Sequence, residues 1–187
     1  MVLLESQVKL KTGDTAPDFD LLGIDDKKHA LGDYTDYKGY LVIFMCNHCP
    51  YVKAKVDALN ELYEKCGSDV AMIAINSNDS TDYPEDSFDA MKETAKEKGF
   101  KFDYLVDETQ EIAKKYGAMC TPDPYLFDGQ KQLVFHGRID NANREQSRME
   151  AYRQRSAHVE RNWHQALDGH SERRNPEALQ EIVLDVC

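Results

Sequence analysis

Hydrophobic and polar positions along this chain fall into blocks whose period switches between strand-like and helix-like. The first forty residues carry turn signals at "TGDTAP" and "GDYTDYKG" around one short apolar run, "FDLLGI", and read as loop-rich. Residues 40–45, "YLVIFM", read as a fully buried strand: short, β-branched and aromatic, without polar alternation. The period then changes. Val52, Val56, Leu59, Leu62, Tyr63 and Cys66 recur at three- and four-residue spacing up to Gly67, which predicts one helix with Pro50 in its first turn. "VAMIAIN" is a second buried strand, and "PEDSFDAMKETAKEKG" a helix with acidic residues early, lysines late and a terminal glycine. "FDYLVD" and "ETQEIAKKYG" add a short strand and a short helix. "PYLFD" and "QLVFHGRI" form a hairpin across "DGQK". The order β-α-β-α-β-α-β-β implies an α/β fold: a mixed central sheet flanked by helices.

The last fifty residues have a different character. All eight arginines lie from Arg138 onward, and all fifteen lysines at or before Lys131. Met149, Tyr152, Ser156, Val159, Trp163 and Ala166 step by three and four, one face of an amphipathic helix. That face predicts either an accessory helix packed on its own sheet or a homodimer seam; "HSERRNPEALQEIVLDVC" predicts a loop and a short final helix. At 187 residues the chain suits one domain, 1–187, with its core at about 8–141 and a C-terminal helical extension at about 142–187.

Composition narrows the function class. A net charge of −11 argues against a nucleic-acid surface. No apolar run approaches the roughly 20 residues that span a bilayer. "MVLLESQVKLK" has no basic start, and no small-residue cleavage site follows it, so a cytoplasmic protein without a membrane anchor is expected. Five cysteines, an odd number, do not form a secreted disulfide framework. In a reducing compartment a close pair is catalytic, redox-sensing or metal-binding.

Cys46 and Cys49 are that pair, in "CNHC", at a strand-to-helix turn. Unpaired N–H groups at a helix N-terminus stabilise an anion, so Cys46 is expected as a low-pKa, attacking thiolate. Cys49, one turn on and less exposed, is expected to resolve the mixed disulfide. His48 offers nearby positive charge; a stabilised thiolate makes the disulfide more oxidising. The alternatives are two buried core cysteines, or a copper or zinc site of Cys46, Cys49 and Cys120, with His48 or His136 as a further ligand. Cys66, at an apolar helical position, is expected in the core. Cys187 is a tail thiol or an intermolecular or resolving partner.

"CNHC" between a strand and a helix, with "CTPDPYLFD" later, resembles the thioredoxin fold. "TGDTAPDFDL" is similar to the entry segment of the redoxin branch, the alkyl hydroperoxide reductase/thiol-specific antioxidant proteins. With "GRID", these motifs resemble the peroxiredoxin-like group of thioredoxin-family proteins over roughly residues 8–141. The resemblance implies thiol–disulfide exchange without a cofactor, on a protein or small-molecule disulfide, with an electron donor yet to be identified. It implies that Pro122 is a cis-proline, that the Thr121 backbone receives substrate, and that Arg138 supports the site. Copper chaperones of the Sco type share the fold and a cysteine pair one residue wider. Peroxiredoxins carry a proline seven residues and a threonine or serine three residues before the peroxidatic cysteine; counted from Cys46 this chain has Gly39 and Ile43. Peroxide reduction is therefore the weaker expectation. Thioredoxin has a buried aspartate six residues before its pair, where this chain has Tyr40.

Overall fold

The computed structural model describes residues 9–137. Arg138, Cys187 and the expected C-terminal helix with its dimer seam lie outside the described residues. Seven strands build one sheet: β1 (Asp20–Gly23), β2 (Lys28–Ala30), β3 (Gly39–Phe44), β4 (Val70–Asn76), β5 (Asp103–Val106), β6 (Asp123–Asp128) and β7 (Leu133–His136). Four helices accompany them: α1 (Pro50–Lys53), α2 (Val56–Cys66), α3 (Phe88–Lys98) and α4 (Glu111–Tyr116). The spatial order is β2-β1-β5-β4-β3-β6-β7. β3, β4 and β5 are parallel, while β1, β2, β6 and β7 join antiparallel to their neighbours. This is the mixed sheet of a thioredoxin-like α/β fold.

β3 shows why its residues read as uniformly apolar. All six of its residues are buried. Leu41 and Ile43, with Met45 just beyond, pack in one cluster with Leu59 and Leu62 of α2 and Met91 of α3. Tyr40, Val42 and Phe44 pack in the other with Ile112 and Tyr116 of α4. Successive strand side chains point to opposite faces, so a strand covered on both faces must be apolar throughout. Each large apolar side chain so buried contributes about 1.5–3 kcal/mol. Cys66 belongs to the first cluster.

Two regions depart from the predicted elements. The loop-rich N-terminal region contains a hairpin: β1 pairs with β2 from Asp20↔Ala30 to Leu22↔Lys28, and with β5 on its other side. β2 is short and lies at the sheet edge with no residue fully buried, so it carries no apolar alternation to read. The predicted helix after the cysteine pair is two helices. At the junction the Lys55 N–H bonds to the Val52 carbonyl, a tighter turn than the α-helical pattern. Val52 and Val56 remain four apart across the break, so spacing alone does not register it.

Candidate active site

Parallel β3 and β4 finish at one sheet edge, and antiparallel β6 begins there. Open α/β sheets place their sites at such carboxyl ends. Phe44 pairs with Asp123, which brings the residues after β3 against those just before β6. The Thr121–Pro122 bond is cis. Cys46 Sγ lies 3.2 Å from Thr121 Oγ1, and the Cys49 thiol donates to the Thr121 carbonyl at 3.3 Å. Both sulfurs thus meet Thr121, Cys46 at its hydroxyl and Cys49 at its carbonyl. Cys46, Cys49, Thr121 and Pro122, widely separated along the chain, therefore form one site.

The two thiols reverse their expected roles in exposure and charge. Cys46 is 1% exposed and Cys49 8%. Cys49, not Cys46, is the N-cap of α1; its side chain closes no capping hydrogen bond, but the N–H groups of Val52 and Tyr51 favour charge on its sulfur. The Cys46 thiol is pushed up, first by the Cys49 side chain beside it, then by burial and by Asp86; the Thr121 hydroxyl and the Cys49 N–H act the other way. The same pairing of side chains, aided by Thr121 and the two N–H groups and opposed by burial, pulls Cys49 down to about 5. Both influences act in one direction, favouring negative charge on Cys49 over Cys46. The helix adds a smaller contribution in the same direction: proline at position 50 starts α1 immediately after the second cysteine, so its first N–H groups favour Cys49 rather than Cys46.

His48 is fixed from two sides. Its Nδ1 lies 2.5 Å from Asp86 Oδ2, and Tyr83 stacks on its ring at 4.1 Å with an interplanar angle of 3°. Asp86 Oδ1 also accepts the Asn47 N–H at 2.6 Å and the His48 N–H at 3.3 Å, and Oδ2 accepts from Asn78 Nδ2 at 2.9 Å. Asn47 donates to the Glu85 carbonyl at 2.7 Å and accepts from the Tyr104 hydroxyl at 3.0 Å. The cysteine-bearing turn is thereby strapped to the segment before α3. A buried carboxylate that accepts backbone N–H groups holds their geometry firmly, because charge-assisted bonds are about twice as strong as neutral ones.

Asp86, Tyr83, Asn47 and Asn78 carry the site and are not among the sequence-derived residues. "PED" looks like the acidic first turn of a helix, but α3 begins after Ser87, whose hydroxyl accepts the Ala90 N–H at 3.4 Å. Ser before the apolar Phe88 is an N-cap signal. It leaves residues 84–86 as a separate 3-10 turn in the connection that leaves the carboxyl end of β4.

The expected metal set of Cys46, Cys49 and Cys120 is not what the fold assembles. Among the described residues, ligating atoms gather at Cys46, His48 and Asp86, within 4.8 Å of one another, and Cys120 is not in that group. Both Asp86 oxygens in that group also accept hydrogen bonds from protein donors. Cys120 is half-buried beside Thr121. His136 bonds through Nε2 to Asp123 Oδ1 at 2.9 Å and stacks on Tyr125 at 4.0 Å, in the β6–β7 hairpin. Arg138 is outside the described residues.

Comparison with known proteins agrees with this architecture. The chain is 30% identical over 127 residues to the thiol-disulfide oxidoreductase ResA of Bacillus thuringiensis subsp. konkukian, covering 67% of this chain and 69% of that protein. Among solved structures it is similar to a conserved protein of Geobacillus kaustophilus, 41% identical with a TM-score of 0.70 over 73% of each chain. It is also similar to a hypothetical protein of Sinorhizobium meliloti 1021, 31% identical with a TM-score of 0.76 over 89% of this chain and 90% of that one. No helix among the described residues is long and apolar enough to cross a membrane. With the AhpC/TSA family model matching residues 12–136, across both the cysteine turn and the cis-proline edge that meets it, the chain belongs to the AhpC/TSA family.

Proposed function

We propose that this protein is a thiol–disulfide oxidoreductase working through Cys46 and Cys49 on protein or small-molecule disulfides. The observation that carries the reading is the pair of sulfurs that both bond to Thr121 at the cis-Pro122 edge. The similarity to ResA, a thiol-disulfide oxidoreductase by name, supports it. Cys46 gives its proton to the neighbouring Cys49 thiolate and attacks one sulfur of the substrate disulfide. The substrate S–S bond breaks, a mixed disulfide forms at Cys46, and the departing thiolate takes the proton back from Cys49. Cys49 then attacks the Cys46 sulfur, closing the 46–49 disulfide; the second substrate thiolate leaves and takes a proton from water. Two electrons pass from the dithiol to the substrate, and a separate electron donor restores the dithiol. His48 tunes the pair, and Thr121 with Pro122 shapes the docking edge.

The engagement of both Asp86 oxygens favours exchange over metal binding. The absence of a proline and a threonine in the peroxiredoxin positions, Gly39 and Ile43, favours disulfides over peroxide as oxidant. The test is a disulfide-reduction assay with the Cys46→Ser and Cys49→Ser variants. Cys46→Ser is expected to abolish turnover, and Cys49→Ser to accumulate mixed disulfides. A wild-type chain that never forms a 46–49 disulfide with glutathione overturns the reading. So does rapid peroxide consumption without disulfide reduction.

A further inference from the structure

We infer that Asp86 is a positioning residue that sets the redox balance of the Cys46–Cys49 couple, acting through His48 and the backbone of the cysteine turn. This rests on the reading of Cys46 and Cys49 as the reacting pair. The Asp86 side chain is wholly removed from solvent and its carboxylate lies within 4.8 Å of the Cys46 sulfur. Away from water, a negative charge at that range acts strongly on a second negative charge. His48, between the same partners, is the counterweight: it bonds to Asp86 and brings an imidazole within 4.8 Å of the sulfur. Asp86 accepts at the His48 Nδ1, so the proton of a neutral imidazole sits on that nitrogen and Nε2 carries the lone pair. Tyr83 holds the ring flat against this arrangement.

The other groups that face the sulfurs belong to different elements. Cys49 caps α1, and Thr121, a hydroxyl that does not titrate in this range, precedes β6. Tyr104 comes from β5; burial first, then Asp86 and Cys46, hold its phenol well above the usual range, so it stays protonated as a donor to Asn47. Asp86 is therefore the negative charge that opposes ionisation of the Cys46–Cys49 pair, and His48, which donates to that carboxylate, the group that disperses its charge. Thiolate formation stabilises the reduced couple. Removing the carboxylate charge must then favour the dithiol, and removing the imidazole must favour the disulfide. A residue that only braced the turn would lower stability without shifting the couple in opposite directions.

The experiment measures the 46–49 dithiol–disulfide equilibrium against glutathione at pH 7, by trapping and mass analysis of the full chain. For Asp86→Asn, which keeps an oxygen acceptor for the turn amides, the equilibrium constant is expected to move toward the dithiol by about tenfold, or about 30 mV. For His48→Ala it is expected to move severalfold toward the disulfide. Shifts of the same sign in both variants, or constants within about twofold of the wild type, overturn the inference while the exchange reading stands. Should Asp86→Asn not fold, His48→Ala decides: a shift toward the disulfide supports the inference, and no shift or the opposite one overturns it. A wild-type chain that forms no 46–49 disulfide removes the dithiol reading and this inference with it.

Discussion

The dithiol edge is flanked by two clusters made of the same three residue types. In one, His48 bonds to Asp86 and stacks on Tyr83; in the other, His136 bonds to Asp123 and stacks on Tyr125. The stacks are nearly identical, 4.1 Å and 3° against 4.0 Å and 8°. Their surroundings differ. Tyr125 is fully buried, lies opposite His136 in the register of β6 and β7, and donates its hydroxyl to Asp123 at 3.2 Å. Tyr83 is 47% exposed and comes from a connection rather than a strand. Asp86 spends its oxygens on the backbone N–H groups of the cysteine turn, whereas Asp123 bonds to side chains of its own hairpin. The same triad thus staples a hairpin in one place and tensions a reactive turn in the other. What decides is whether the carboxylate touches the main chain beside the sulfurs.

The comparison predicts a separation between stability and redox balance. The largest effect is expected from Asp123→Ala, which leaves buried Tyr125 and half-buried His136 without this acceptor and costs about 3 kcal/mol in urea denaturation. Its dithiol equilibrium with glutathione is expected to stay within about twofold of the wild type. If Asp123→Ala moves that equilibrium as far as Asp86→Asn does, the two clusters are not functionally distinct. Next in size is the pH response of the couple. Below the Cys49 value of about 5 the reduced pair binds two protons, and above it one, while the disulfide binds none. The potential should therefore fall by about 59 mV per pH unit below that point and by about 30 mV above it. A slope that stays steep up to pH 8 would show that neither thiol is lowered.

His136→Ala should cost about 1–2 kcal/mol, because it removes a partly buried bond and a stack and leaves Asp123 short of a donor. Its thiol alkylation profile should match the wild type. Smallest is Tyr83→Ala, where about half a stack is already in water: a stability change under about 1 kcal/mol, with faster alkylation of the thiols because a cover over His48 is gone. Unchanged alkylation kinetics would reduce Tyr83 to an ordinary surface residue.

The parts of this protein legible in its sequence share a cause. β3 and β4 are covered on both faces, so burial wrote them as unbroken apolar runs. The cysteine pair stood out because Pro50 marks the strand-to-helix turn, and Thr121–Pro122 because it precedes a hairpin. The polar hairpin of β1 and β2 escaped notice, since an edge strand leaves no apolar period. Asp86 escaped for a related reason. An acidic residue before a helix is the commonest of surface features, and nothing local distinguishes one aimed at solvent from one buried under the cysteine turn.

By itself, then, the sequence determined the order of strands from β3 onward, the two-sided burial of the central strands and the turn that holds the cysteine pair. Those are short-range matters of period, turn chemistry and spacing. Only the tertiary structure decided which cysteine caps the helix, that Thr121 touches both sulfurs, and that Asp86 lies beneath the turn. Proton affinity at a buried sulfur depends on every donor and charge within a few ångströms. Those neighbours come from four separate stretches of chain that meet only when parallel β3 and β4 end where β6 begins.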